Sequence, residues 1–229
     1  MILKIIFGSW HLNLIVLQKK MNLFLVCLGS LFSVINPLGT VPVFMGLTDG
    51  KTKQQMISIA VRTSINVLII LLISFFVGSY LLSFFGISMN SLKIAGGLII
   101  ASSGFALITG SFTRHKGMRR SVKEDAMTRS QITLTPLAIP MLAGPGAISL
   151  LISYKSELTT LSEISIVIAS IVAVTLATLL LLLASRQITK VLGASGMNSL
   201  SRIIGFIVTA IGIEFILYAV YSFVVPLTQ

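Results

Sequence analysis

The hydrophobic positions of the 229-residue chain fall into six long runs separated by short polar stretches. Each run approaches the roughly 20 residues that an α-helix needs to cross a bilayer. The pattern therefore predicts an all-α, polytopic membrane protein with six transmembrane helices. The six runs cover Asn22 to Leu47, Met56 to Tyr80, Ser91 to Gly110, Gln131 to Tyr154, Glu163 to Ala184 and Leu200 to Val225.

Landmarks in the first half of the chain recur 108 residues later without a gap. The matching landmarks are Pro37 and Pro145, the tetrapeptides MNSL at 89–92 and 197–200, Gly97 and Gly205, and Gly104 and Gly212. A constant offset indicates two copies of one unit. Because each copy holds three predicted helices, the second copy must be inverted relative to the first. The sequence thus predicts two inverted three-helix repeats, an arrangement typical of secondary transporters.

This organisation divides the chain into four parts. Residues 22–110 form repeat 1 and residues 131–225 form repeat 2, and a basic linker at 111–130 joins them. Residues 1–21 are apolar but interrupted by Lys4, Trp10 and His11. Two interpretations of this extension remain. It lies outside the fold, with Met21 as the start of the mature or translated chain, or it is an interfacial helix.

Composition agrees with a bilayer setting. The hydrophobic fraction is 55% and the charged fraction is 10%, whereas a soluble domain has about 25% charged residues. The net charge of +11 comes from short loops without an aromatic-interleaved basic face, so nucleic acid is not an expected partner. Of the 17 Lys and Arg, 12 lie on the side of the linker. The positive-inside bias therefore predicts a cytoplasmic linker, with a lipid-facing or regulatory role, and both termini outside.

Helix-breaking residues interrupt the first and fourth predicted helices. The first contains the run NPLGTVP from Asn36, and the fourth contains TPLAIPMLAGPGA from Thr135. Proline removes a backbone donor, and glycine permits conformations that end a helix. We therefore expect helices 1 and 4 to be discontinuous. Non-helical backbone at membrane depth must be buried in protein or line a wet cavity, so the two breaks should meet at mid-membrane.

The breaks are the candidate substrate site. A half-helix beginning at Pro37 or Pro145 presents free N–H groups suited to a carboxylate, and the preceding half-helix presents carbonyls suited to an ammonium. A small zwitterion is the ligand that this arrangement favours. The alternative is a pair of proline kinks used for packing. The candidate binding residues are Asn36, Pro37, Gly39, Thr40, Gly144, Pro145, Gly146 and Ala147.

Glu214 is the one acid well inside a predicted span. Because a carboxyl group in a membrane helix costs a few kcal/mol, on the order of 2.5 to 3.5 for Asp on insertion scales, we expect it to face the bundle interior. Its functional interpretation is coupling to an ion, H⁺ or Na⁺, or binding of an ammonium. The alternative is a structural acid that is paired or neutral.

The residue inventory argues against an enzyme and against a metal or cofactor. Both histidines, His11 and His115, lie outside the predicted spans, and Asp49 and Asp125 lie at a helix end and in the linker. No intramembrane Ser–His or Asp–Asp pair is therefore available. Cys27 is the only cysteine and the acids are scattered, so no catalytic residue and no metal-ligand set is expected. No P-loop is present, which excludes ATP as the direct energy source.

Several linked motifs resemble the MarC family of bacterial inner-membrane proteins. They are NPLGTVPVF at 36–44, LKIAGG at 92–97, PLAIP at 136–140 and AGPGAI at 143–148. The resemblance spans nearly the whole chain from Asn22. It implies a transporter of small neutral amino acids, of glycine or alanine size, in the inner membrane. The chain departs from the family at its N-terminal extension and at Glu214, where many relatives are expected to carry an uncharged amide.

Two other membrane functions remain open beside the carrier. A lipid or polyprenyl-phosphate flippase also uses inverted broken elements, but it needs buried arginine to hold phosphate, and no arginine other than Arg62 lies away from the ends of a predicted span. A non-transporting membrane scaffold is the third interpretation. The oligomeric state, the direction of transport and the coupling ion do not follow from the sequence.

Overall fold

The computed structural model describes residues 2–110 and 133–224, and these residues are helical with short connections. The basic linker at 111–130 lies outside the described residues. We label the helices in chain order, and α5 is a π-helix. The helices are α1 (Ile2–Ile35), α2 (Pro37–Leu47), α3 (Lys53–Phe84), α4 (Met89–Ile108), α5 (Thr133–Leu142), α6 (Pro145–Glu157), α7 (Leu161–Leu183) and α8 (Ser185–Val224).

Within residues 2–110 and 133–224, five segments are long and apolar enough to cross a membrane. They are Leu17–Leu47, Lys53–Phe84, Met89–Ile108, Leu161–Leu183 and Ser195–Phe223. Their outward faces are apolar: Ile65, Ile69, Ile73 and Val77 of α3, four residues apart, are each about half exposed. Residues at this spacing share one helix face, and a continuous exposed apolar stripe is the face that lipid covers. The chain is therefore a polytopic, all-helical membrane protein.

The fourth predicted crossing is not a single helix. The segment forms the 10-residue π-helix α5 and the 13-residue helix α6, separated at Ala143 and Gly144. Pro136 and Pro140 remove two backbone donors within α5, and the Ala143 N–H instead donates to the Ala138 carbonyl at 2.8 Å, five residues back. Among the described residues there are thus five candidate spans, where the sequence predicted six crossings. The break in the fourth segment confirms the predicted discontinuity of helix 4.

The N-terminal extension is helical and continuous with the first span. Helix α1 begins at Ile2 and has 34 residues, a length of about 51 Å at 1.5 Å per residue. The apolar span within it begins at Leu17. Residues 2–16 belong to the same helix as this span.

Helix starts recur at the 108-residue offset seen in the sequence. Helices α2 and α6 begin at Pro37 and Pro145, and α3 and α7 begin at Lys53 and Leu161. Their caps recur as well. Thr52 with Gln55 forms a capping box on α3, and Thr160 with Glu163 forms one on α7. In each box the hydroxyl and the N3 side chain satisfy N–H groups that the helix start leaves free.

Helices α4 and α8 pack against each other through glycines. A Cβ built on Gly97 would lie 2.6 Å from the Gly212 carbonyl oxygen, and one built on Gly104 would lie 2.7 Å from that of Gly205. The reverse distances, from Gly212 to Gly97 and from Gly205 to Gly104, are also 2.6 and 2.7 Å. Since the higher-numbered residue of α4 meets the lower-numbered residue of α8, the helices are antiparallel. Small residues permit this close backbone approach.

The short helices α2 and α6 point to opposite ends of α3. Only residues 48–52 separate the end of α2 from the start of α3. The end of α6 lies at the other end, because Glu157 contacts Lys93 near the start of α4, just after α3 has ended. We call the end where α4 begins the outer end and the end where α2 finishes the inner end, following the orientation that the charges predict.

Substituting Gly104 by Ala tests the glycine contact. The added methyl group would meet backbone of α8, and overpacking of this kind costs roughly 1 to 3 kcal/mol. We expect Gly104→Ala to lower the thermal unfolding temperature in detergent by about 5 °C, on the scale for chains of this length.

Gly29→Ala is the matched control, because a Cβ on Gly29 of α1 has no atom within 4 Å. It should leave the unfolding temperature within about 2 °C of wild type. Equal changes in the unfolding temperatures of the two variants would show that α4 and α8 are not in close contact at Gly104.

Candidate functional site

The first helix break is centred on Asn36. Its backbone has φ 50° and ψ 61°, the left-handed conformation, which separates α1 from α2. The Gly39 N–H donates to Asn36 Oδ1 at 3.0 Å, and the Thr40 hydroxyl donates to the Asn36 carbonyl at 3.2 Å. A Cβ on Gly39 would collide with the Asn36 side chain. Asn36, Pro37, Gly39 and Thr40 are all buried, so the chain forms a compact capped turn at this break.

Asn36 retains one unused donor. The residue is 2% exposed, and its Nδ2 has no hydrogen-bond partner among the described residues. Oδ1 accepts from the Gly39 N–H, and Nδ2 lies over Gly39, where it is the atom nearest to the position that a Cβ would take. Leaving a buried donor unpaired costs about 1 to 3 kcal/mol. This donor is therefore a feature that packing alone does not explain and that a ligand acceptor would satisfy.

Two further unpaired hydroxyls lie at the depth of Asn36. Thr63 and Ser64 of α3 are buried, and their oxygens have no partner among the described residues. Ser64 is eleven residues from the start of α3, and Asn36 is eleven residues from the end of α2. Both therefore lie about 16 Å from the inner helix ends, at 1.5 Å per residue. Asn36, Thr63 and Ser64 therefore share one level along the bundle, whereas the Ser185 hydroxyl, which is also buried without a partner among the described residues, lies at the start of α8.

The second break has an open cap. Gly144 precedes α6 in an extended conformation, with φ −80° and ψ 171°, and no side chain of the described residues caps the helix. Gly144 is the repeat equivalent of Asn36, so the side chain that caps α2 is missing at α6. The Ile148 N–H donates to the Gly144 carbonyl at 3.1 Å. The N–H groups of Gly146 and Ala147 lie in the first turn, where no intrahelical acceptor exists.

The structure brings the surroundings of the two breaks together. A Cβ on Gly146 would lie 2.7 Å from Ile100 Cγ1 and 3.3 Å from Val34 Cγ1, and Val34 is two residues before Asn36. Ile35, Ala143 and Ala147 belong to one buried cluster. The end of α1, the end of α5 and the start of α6 therefore pack as one unit.

Seven of the eight predicted binding residues are buried, and Pro145 is exposed. Contact between the two breaks runs through Val34 and Ile100. The three described pockets lie elsewhere, at the outer and inner helix ends. The expectation that the breaks face one another across a cavity stays a prediction.

Glu214 lies in a different place from the one predicted. Its side chain is exposed, and it lines an outer pocket of about 160 Å³. The prediction that it faces the bundle interior was wrong. Ser222, near the end of α8, donates a 3.1 Å hydrogen bond to Asn90 at the start of α4, so the two helices reach the outer end at the same level. Relative to α4, Glu214 is only about two turns from the outer end.

Sequence reasoning did not single out two residues of this pocket, Lys93 and Glu157. Lys93 is 6% exposed. Its Nζ lies 2.6 Å from Glu157 Oε1 and 4.2 Å from the centroid of the Tyr218 ring. The available signal was that Lys93 is the fifth residue of a helix rich in glycine and apolar side chains, where a lysine needs a partner.

Comparison with known proteins assigns the chain to a family. Residues 21–224 match the MarC family, described as integral membrane proteins. A UPF0056 membrane protein of Buchnera aphidicola (subspecies Baizongia pistaciae) is 34% identical over 188 residues, covering 82% of this chain and 87% of the relative. UPF0056 membrane protein MJ1677 of Methanocaldococcus jannaschii is 35% identical over 193 residues, covering 84% and 93%.

A third relative is UPF0056 membrane protein YhcE of Escherichia coli K12, which is 34% identical over 187 residues, covering 82% of this chain and 86% of the relative. No solved structure matches the chain. The family match begins at Met21, so residues 1–20 lie outside it. The chain belongs to the MarC family of integral membrane proteins.

Proposed function

We propose that this protein is a secondary transporter of small neutral amino acids in the bacterial inner membrane, not an enzyme. The observation that carries the proposal is the pair of helix breaks at repeat-equivalent positions, Asn36 and Gly144, each buried in the bundle. One break holds an unpaired amide donor and the other an uncapped helix start. A scaffold needs neither feature.

A small zwitterion fits the chemistry at the breaks. Its carboxylate would accept from the free N–H groups of Gly146 and Ala147 and from Asn36 Nδ2. Its ammonium would donate to carbonyls at the C-terminal ends of α1 and α5, which carry partial negative charge. Val34 and Ile100 lie directly against Gly146 and leave little room for a long side chain. These features support substrates of glycine or alanine size.

Alternating access requires two units that can rock about the site, and we propose the two inverted three-helix repeats for this role. The antiparallel contact of α4 with α8 supports the inversion, because the contact of Gly97 with Gly212 becomes that of Gly205 with Gly104 when each glycine is replaced by its repeat equivalent. The opposite directions of α2 and α6 support it as well. Helices 1 and 4 of the proposed scheme correspond to α1 with α2 and α5 with α6.

The flippase alternative is not favoured by the described residues. Holding a lipid phosphate at mid-membrane calls for buried arginine, and Arg62, Arg186 and Arg202 are all exposed. The energy source in our proposal is an ion gradient, with H⁺ or Na⁺ as the coupling ion. Uptake into proteoliposomes under an imposed pH or Na⁺ gradient distinguishes these two ions.

Labelling of single cysteines tests the orientation and the inversion together. With Cys27 replaced by Ser, Thr159→Cys and Asp49→Cys place a thiol after α6 and after α2, at exposed positions. A membrane-impermeant maleimide added to intact cells should label the cysteine at position 159 and not the one at position 49. Labelling at both positions, or at position 49 only, would contradict the proposed topology.

Substituting Asn36 by Asp tests the substrate site. The Asp side chain keeps an acceptor for the Gly39 N–H, so the cap remains, but it loses the Nδ2 donor and adds charge that repels a carboxylate. Loss of one hydrogen bond to a charged group costs about 1.5 to 3 kcal/mol. We expect alanine uptake into proteoliposomes to fall at least about tenfold.

Asn198→Asp is the matched control, since Asn198 is exposed at the inner end of α8, and it should transport like wild type. Circular dichroism and thermal unfolding verify that the Asp variants fold. Wild-type uptake by a folded Asn36→Asp variant would remove Asn36 from the substrate site.

A further inference from the structure

The ammonium group of Lys93 is largely shielded from water. It is 6% exposed and joins three helices, since it lies on α4, pairs with Glu157 of α6 and covers the ring of Tyr218 on α8. A buried ammonium must be paired, because removing its partner leaves an uncompensated charge. Lys93 therefore requires an anion in every state of the protein in which it stays buried.

Its partner Glu157 is easily displaced. Glu157 is the last residue of α6, and its side chain is 49% exposed, against 7% for Lys93. The carboxylate can turn into solvent at little cost, whereas the ammonium cannot follow it. Another carboxylate can thus replace Glu157 at the Lys93 ammonium.

A pocket for such a carboxylate lies beside the pair. Its volume is about 160 Å³, the share of roughly five liquid waters at ~30 Å³ each. The wall also contains Ser153, Tyr154, Phe215 and Tyr218, and Glu214 brings a second carboxylate. Among the described residues, Glu214 forms no ion pair. The pocket therefore presents a buried cation and, on another helix, an acid free to receive a positive group.

We infer that this pocket is an outer binding site for a small zwitterion, whose carboxylate replaces Glu157 at Lys93 while its ammonium pairs with Glu214. The inference rests on the proposed function, for which it adds a second site for the same substrate class. A simple anion would meet repulsion from Glu214, and a simple cation would leave Lys93 with Glu157. Of the two functional roles considered for Glu214, the pocket favours ammonium binding.

The site has no counterpart at the inner end. The residues 108 positions away from Lys93 and Glu157 are Ser201 and Asp49, and Ser201 carries no charge. Only repeat 1 has a lysine at this position, so the cation is present at the outer end alone. The two repeats therefore differ at the outer site. We therefore expect it to affect the half-saturation concentration of substrate added outside, and not that of substrate inside.

The test is alanine transport in proteoliposomes of determined orientation, measured from both sides. Lys93→Met keeps the packing volume and removes the ammonium, while the half-exposed Glu157 can turn to water. We expect the external half-saturation concentration to rise about tenfold or more, because a charge-assisted hydrogen bond to the substrate is lost. The internal value should stay within about twofold of wild type, a change of under ~0.5 kcal/mol. An unchanged external value would overturn the outer site.

Lys155→Gln is the matched control, because it removes a positive charge near the end of α6 that does not line the pocket. It should leave both half-saturation values unchanged. A second variant, Lys93→Glu with Glu157→Lys, restores an ion pair but places a carboxylate at the buried position. Weak external binding by this swapped pair supports the site, whereas wild-type kinetics would show that the pair is only a structural link.

Failure of the outer site and failure of the proposed function give different results. If wild-type protein takes up no amino acid, the proposed function fails, and calorimetric titration of the detergent-purified protein decides the site. Alanine binding that Lys93→Met weakens, with no binding of propionate or alaninamide to wild type, supports the pocket. If wild-type protein binds no alanine either, the outer site is overturned together with the proposed function.

Discussion

A polar backbone group inside hydrocarbon has no water to pair with, and this constraint governs the arrangement of the whole bundle. A continuous helix satisfies its own N–H and C=O groups, but the breaks at Asn36 and Gly144 do not. Each must be enclosed by other helices or satisfied by a ligand. The chain encloses both, because α3, α4 and the neighbouring halves of α1, α5 and α6 pack around them. The remaining unpaired donors are the groups available for binding.

The features that the sequence predicted well are those fixed by backbone chemistry. A cluster of proline and glycine inside an apolar run disrupts helical hydrogen bonding, so the breaks near Pro37 and Pro145 could be located without a structure. The repeated landmarks predicted which helix starts correspond, and those of α2 and α6 and of α3 and α7 recur at the same offset. The glycines at positions 97 and 104 were landmarks of the repeat, and the structure adds that their partners on α8 are the glycines at positions 212 and 205.

The features that the sequence did not predict depend on relations between distant segments. Lys93 and Glu157 are separated by 64 residues, and no local pattern indicates that they pair. The depth of Glu214 depends on where α4 begins beside it, which one helix read alone cannot show. Asn36 is a residue with positive φ, and its unused Nδ2 emerges only when the fold closes around the cap. The break in the fourth segment was predicted, but its π-helical form depended on how α5 used its remaining donors.

The glycine contact between α4 and α8 has the form of a self-complementary interface. The pair formed by Gly97 and Gly212 becomes the pair formed by Gly205 and Gly104 when each residue is replaced by its repeat equivalent. The same relation holds between identical subunits about a two-fold axis. There, residue i of one subunit contacts residue j of the other, and residue j of the first contacts residue i of the second. Two separate half-chains inserted in opposite orientations would therefore meet through the same glycines. Joining them into one polypeptide raises their effective concentration without requiring a new contact. It also allows the two halves to diverge, so that only one of them carries a lysine at the position of Lys93.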